Sequence, residues 1–160
     1  MLATKEDFRD KIHYLNMRTC FENLLASGVI PIVNENDTVS TEEISFGDND
    51  RLSVFVADVV DADLLIILSD VKGFYITEGR GRRLVPMIAK VTPSLFAHCY
   101  GYDGHKTVGG MRSKLMAAQR ATKEGIPMLL TDGGSWSNLR KLIAGEPVGT
   151  LFPARKPSRA

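Results

Sequence analysis

Cysteine, histidine and tryptophan are scarce in this chain of 160 residues: two, three and one respectively. Two cysteines, Cys20 and Cys99, cannot form a disulfide framework, and a reducing cytoplasm is the simpler setting for them. His13 stands apart from the adjacent pair His98-Cys99, a spacing that does not fit a four-ligand zinc site. An excess of either charge is also missing, since 20 basic and 19 acidic residues leave a net charge of +1. No whole-chain field therefore draws the protein to nucleic acid or anionic lipid, and Arg80, Arg82 and Arg83 lack interleaved aromatics. No apolar run approaches the roughly 20 residues that span a bilayer, and MLATKEDFRD has no apolar core of a secretory signal. Nucleic-acid and membrane partners are thus not expected.

What remains is the composition of a globular chain, 44% hydrophobic and 24% charged, of a length that suits one domain. Phe8, Ile12, Leu15, Phe21, Leu24 and Leu25 recur near the helical period, predicting a helix over 7–27 with a break near Asp10 and a stop at Gly28. Val29–Val33 reads as a buried strand, 34–49 as an extended excursion or hairpin ending at Gly47, and 50–60 as a second helix. Leu64–Leu68 is a second apolar strand, followed by a basic turn over 79–83 and a short helix opening at Pro93. A glycine-rich loop over 101–110 feeds a helix at about 111–124, closed by Gly125. A strand over 126–130, a helix over 137–144, a last strand over 149–152 and a basic tail complete the pattern. Short strands alternating with helices predict an α/β fold, a three-layer α/β/α sandwich on a mostly parallel sheet.

In such sheets ligands bind beyond the carboxyl ends of the strands. That rule selects Asn34-Glu-Asn-Asp37, Ser69-Asp70 and Thr131-Asp-Gly-Gly134. Each has a plain alternative reading as a turn or helix cap. The run Thr107-Val-Gly-Gly-Met-Arg-Ser-Lys114 has glycines that admit an anion to the backbone and a lysine in the first helical turn. It is not a Walker A loop, because Gly110 stands where that motif needs lysine. Asp48 and Asp50 read either as first-turn helix acids or as groups holding a lysine or Mg²⁺ near phosphate. Asn36 and Asn49 can donate to a carboxylate ligand without adding repulsive charge.

Taken in order, Asn34-Glu-Asn-Asp-Thr-Val39, Phe46-Gly-Asp-Asn-Asp50-x-Leu-Ser53, Leu68-Ser-Asp70-x-x-Gly73-Phe-Tyr75, Gly109-Gly-Met-x-Ser-Lys114 and Val148-Gly-Thr-Leu-Phe152 closely resemble the amino acid kinase family. The first two segments resemble its glutamate-phosphorylating branch, whereas the Gly-Gly-Met loop is shared with carbamate, aspartate and acetylglutamate kinases. The resemblance spans residues 1–153 and implies a partial kinase domain that lacks the family's N-terminal part, with 154–160 as a tail. It implies ATP-dependent phosphorylation of the L-glutamate γ-carboxylate, with Mg²⁺, as the first step toward proline. Another amino acid kinase acceptor, or a non-catalytic nucleotide-binding module, is the alternative. The implied partners are glutamate, ATP, further copies of the chain and glutamyl phosphate reductase. Asp50 and Lys114 are the implied catalytic pair, and Asp37, Asn36 and Asn49 the implied glutamate contacts. Ser69, Asp70, Gly73 and Tyr75, with Val108, Gly109, Gly110, Met111, Arg112, Ser113 and Lys114, are the implied nucleotide contacts. Arg112 departs from the small residue usual there, and the isolated chain is expected to turn over slowly or not at all.

Overall fold

A computed structural model describes residues 1–39, 49–79, 81–99 and 110–154. The chain divides into two compact units, Met1–Ala62 and Asp63–Ala160. The expected turn at Gly47-Asp48, Arg80, the loop residues Val108 and Gly109, and the tail beyond Ala154 lie outside the described residues.

In the first unit, strand β1 (Leu2–Ala3) leads through a 3₁₀ turn at Glu6–Phe8 into helix α1 (Lys11–Ala26). The break anticipated at Asp10 is a helix N-cap: its carboxylate accepts from the amides of Ile12 and His13, both at 2.9 Å. At the other end Gly28 donates to the Leu25 carbonyl and Val29 to that of Leu24, a Schellman closure that ends the helix where the glycine predicts. Strand β2 (Asn34–Glu35) pairs in parallel with β1, and helix α2 (Asn49–Val59) packs against both β2 and α1. Ala3, Phe8, Phe21, Leu52 and Val59 form the core, with the rings of Phe8 and Phe55 5.1 Å apart.

The strand predicted at Val29–Val33 is corrected. Only Asn34 and Glu35 join a ladder, and Ile30 and Ile32 are 85% and 83% exposed while Val33 packs on the core. Pro31 offers no N–H to a ladder, and the extended backbone turns alternate side chains to opposite sides, so only one side of the run is buried.

The second unit carries β3 (Leu65–Ser69), β4 (Tyr75–Glu78), β5 (Gly81–Leu84), a 3₁₀ segment (Pro93–Cys99), α3 (Met111–Lys123), β6 (Met128–Asp132), α4 (Trp136–Ile143) and β7 (Thr150–Phe152). Its sheet has the order β3-β6-β7, the first pair parallel and the second antiparallel, which makes an α/β unit with a mixed sheet. Met128, Leu130 and Phe152 are fully buried, as are Leu115, Ala118 and Ala121 of α3. The small alanines let α3 approach β6 closely.

Of the basic turn expected over 79–83, residues 81–83 belong instead to β5, the second strand of the β4–β5 hairpin. Arg83 pairs with Glu78 across it at 2.8 Å. Exposed arginines masked the strand because nothing apolar marks a hairpin that faces water on one side. The strand at β6 begins two positions later than its apolar run, because Ile126 first closes α3 by donating to Ala121.

Candidate active site

Parallel pairing sets Ser69 of β3 opposite Asp132 of β6, so two acidic strand ends finish side by side. The amide of Gly133 donates to the Ser69 carbonyl at 2.8 Å and prolongs the ladder by one bond. Ser69 Oγ donates to the Asp70 carboxylate at 2.9 Å, and the Asp132 carboxylate accepts from the Gly134 amide at 2.8 Å. Asn138 of α4 donates to the Asp132 carbonyl at 3.0 Å, tying the following helix to the same rim. A β-carbon on Gly133 would stand 2.9 Å from that of Leu68, so the two strand ends approach too closely for any side chain there.

Helix α3 packs on β6 and reaches it through the short connection Glu124–Pro127, which makes the two antiparallel. A 13-residue helix rises about 20 Å and a five-residue strand about 16 Å, so the start of α3 stands at the carboxyl end of β6. Gly110 is its N-cap and makes no side-chain cap bond, so among the described residues the first-turn amides have no side-chain acceptor from the cap position. Ser113, one turn in, is 9% exposed, and its Oγ has no hydrogen-bond partner among the described residues. A buried hydroxyl without a partner costs stability, which a ligand oxygen in reach would recover. Met111 and Lys114 are half-buried in the same turn. The exposed Arg112 holds its guanidinium 5.3 Å over the Phe96 ring; burial raises the pKa of the Cys99 thiol, and the Arg112 charge offsets only part of that rise.

Two of the sequence candidates have other surroundings. Gly73 is buried against Thr150 and Leu84, with its β-carbon position 2.6 Å from the Thr150 hydroxyl. Tyr75 is half-buried at the start of β4, opposite Leu84.

The remaining candidates belong to the first unit. Asn36 and Asp37 follow β2, with Asn36 accepting from the Thr38 hydroxyl at 2.6 Å and its backbone held by Ala3 at 2.9 Å. Asp37 is exposed. Asn49 and Asp50 open α2, where Asn49 is exposed, Asp50 is half-buried, and the Asp50 carbonyl accepts from Ser53 Oγ at 2.8 Å. Among the described residues no three His, Cys, Asp or Glu side chains converge on a metal position. Magnesium carried by phosphates takes only one or two protein carboxylates, and the half-buried Asp50 is a donor of that kind. Sequence reasoning left out Asn138 and Thr150; the motif Val148–Phe152 was the available signal for the second.

Strand ends and a helix start of this kind, on an α/β unit with a partly parallel sheet, define a class of α/β proteins whose ligands bind at the strand ends. The description "Amino acid kinase family" matches residues 1–132, and the chain belongs to that family. Within it the chain is similar to the glutamate 5-kinase of Deinococcus radiodurans, at 45% identity over 157 residues that cover 96% of this chain and 43% of the relative. The glutamate 5-kinase of Myxococcus xanthus is 43% identical, covering 100% of this chain and 44% of that one. The chain therefore spans less than half the length of these relatives. Its fold is shared with the carbamate kinase of Giardia lamblia bound to AMP-PNP, at a TM-score of 0.61 and 22% identity, over 89% of this chain and 44% of that one. No helix among the described residues is long and apolar enough to cross a membrane.

Proposed function

We propose that residues 1–153 are a partial amino acid kinase domain serving ATP-dependent phosphorylation of the L-glutamate γ-carboxylate, in the cytoplasm, on the route to proline. The observation that carries this reading is the buried Ser113 hydroxyl in the first turn of α3, which has no hydrogen-bond partner among the described residues, on a unit whose strand ends carry Ser69-Asp70 and Asp132. The 45% identity to a glutamate 5-kinase supports glutamate over other acceptors.

A carboxylate acceptor is already ionised at neutral pH, so the reaction needs no general base. One γ-carboxylate oxygen attacks the terminal phosphorus, the bond to the bridging oxygen breaks, and ADP leaves with the electron pair. The obstacle is the repulsion between two anions, and fixed positive charge and amide donors offset it. In this reading the first-turn amides from Gly110 and the Ser113 hydroxyl cradle phosphate oxygens, together with Val108 and Gly109. Lys114 supplies a cation, Ser69 and Asp70 hold the nucleotide, and Arg112 packs beside it. Asp37 takes the glutamate ammonium, while Asn36 and Asn49 donate to its carboxylates. Magnesium bound with ATP would neutralise phosphate charge, with Asp50 as the carboxylate that orders the cations. The acyl phosphate product is reactive, which suits a glutamyl phosphate reductase as its consumer. Self-association of the chain belongs to the same reading, supported by exposed Ile30 and Ile32.

The test is an acceptor panel. The purified chain is incubated at length with MgATP and glutamate, acetylglutamate, aspartate or carbamate, and acyl phosphate is trapped as hydroxamate. Hydroxamate from glutamate above all others is expected. Preference for another acceptor, or no ATP-dependent product with any once the chain is complemented with the N-terminal portion of a glutamate 5-kinase, contradicts the glutamate assignment.

A further inference from the structure

The motif Val148-Gly-Thr-Leu-Phe152 has no part in the chemistry above, yet it contains a buried polar side chain of the second unit. Thr150 is fully buried, and both capacities of its hydroxyl are used. Oγ1 accepts from the Phe74 amide at 2.8 Å and donates to the Val85 carbonyl at 2.6 Å. Phe74 and Val85 also pair directly, Val85 donating to the Phe74 carbonyl at 2.9 Å. One hydroxyl thus joins β7 to both ends of the β4–β5 hairpin. Phe74 is also where the turn that begins at Ser69-Asp70 ends.

That turn is held at two points. Its start is fixed by Gly133, which donates to the Ser69 carbonyl, and its end by Thr150 at Phe74. Glycines on both sides make room for the second anchor. A β-carbon at Gly73, where φ is +151°, would come 2.6 Å from Oγ1. One at Gly149, where φ is +68°, would overlap the Leu130 carbonyl oxygen. Thr150 pairs with Leu130 across β6–β7, so the anchor is referenced to the same strand that ends at Asp132.

We propose that Thr150 is a positioning residue for nucleotide binding: its hydroxyl fixes the far end of the 69–74 turn and so holds Ser69 and Asp70 in place. This rests on the assignment of Ser69 and Asp70 to the nucleotide made above. Thr150 itself touches no substrate.

The experiment compares Thr150→Ser, Thr150→Cys and Thr150→Val with the unaltered chain, by MgATP titration calorimetry and amide hydrogen exchange. Thr122→Val removes another buried hydroxyl, bonded to Ala118 at 2.7 Å near the far end of α3, and controls for general loss of stability. All are measured at a temperature where circular dichroism shows them folded. The expected order of affinity is Thr and Ser alike, then Cys, then Val weakened by about tenfold, which is 1.4 kcal/mol. Faster exchange at Phe74 follows the same order, and Thr122→Val stays within about twofold of the unaltered chain. Should Thr150→Val not fold, the Ser and Cys variants still give the order. Affinity that ignores the order, or a Thr122→Val loss as large as that of the Thr150 variants, overturns the proposal while leaving the nucleotide site intact. An unaltered chain that binds no MgATP overturns the nucleotide assignment and the proposal with it.

Discussion

Gly133 donates its amide to the carbonyl of Ser69 at 2.8 Å, a single bond that sets the end of β6 against the start of the 69–74 turn. The position tolerates no β-carbon, because Leu68 already stands 2.9 Å from where it would lie. Gly133→Ala is therefore expected to spread the two strand ends, lowering thermal stability and MgATP affinity together. Calorimetric melting and titration of the variant measure both. An unchanged melting point with unchanged affinity means the strand ends do not depend on this approach.

Lys114 and Asp37 separate the two halves of the proposed reaction. Lys114→Ala should lower kcat with little change in the glutamate KM, since its cation stabilises charge on the transferring phosphate. Asp37→Ala should raise the glutamate KM by tenfold or more, because the substrate ammonium loses its counter-charge. These effects are read in the homologous positions of a complete glutamate 5-kinase. Identical kinetic signatures for the two variants would remove one of the assignments.

Acid stability has a local contribution from Asp10. Amide donors, that of His13 foremost, hold its carboxyl below the ordinary value of 3.8. A group with its folded pKa depressed stabilises the protein above its unfolded pKa, and that contribution is lost as pH falls through the folded value. Asp10→Asn keeps a capping oxygen and should flatten the fall in helicity of α1 below about pH 4. Circular dichroism against pH for the two proteins checks it, and superimposable acid transitions contradict the role.

Burial separates residues that the sequence treats alike. Leu115 is fully buried on α3, and Leu115→Ala should cost about 2–5 kcal/mol in urea unfolding. Ile30 is 85% exposed, and Ile30→Thr in dilute solution should change stability by less than about 0.5 kcal/mol. A core-sized loss at Ile30 would mean that the run 29–33 is covered in solution.

How far the sequence spoke depended on whether the deciding interaction is local. The helices α1, α2, α3 and α4 follow apolar periodicity and local caps; Gly28 and Gly125 mark the ends of α1 and α3 because capping is a short-range bond, whereas α1 starts at Lys11, after the cap Asp10, rather than at residue 7. Strands depend on a partner, which no local signal reveals. Ile30 and Ile32 read as buried for that reason, and Gly81–Arg83 read as part of a turn. The site shows the same division. Ser69, Asp70 and the start of α3 were legible as polar or glycine-rich segments beside apolar elements. The bond from Phe74 to Thr150 joins residues 76 positions apart, and only the folded chain brings them together.

The most direct test of the proposed nucleotide site is an amide NMR titration of the isotopically labelled chain with MgATP. Progressive shifts clustered at Ser69, Asp70 and Gly110 through Lys114 are predicted, with slower exchange of the first-turn amides of α3. Saturating MgATP that leaves those resonances in place, or moves only signals remote from them, contradicts the account.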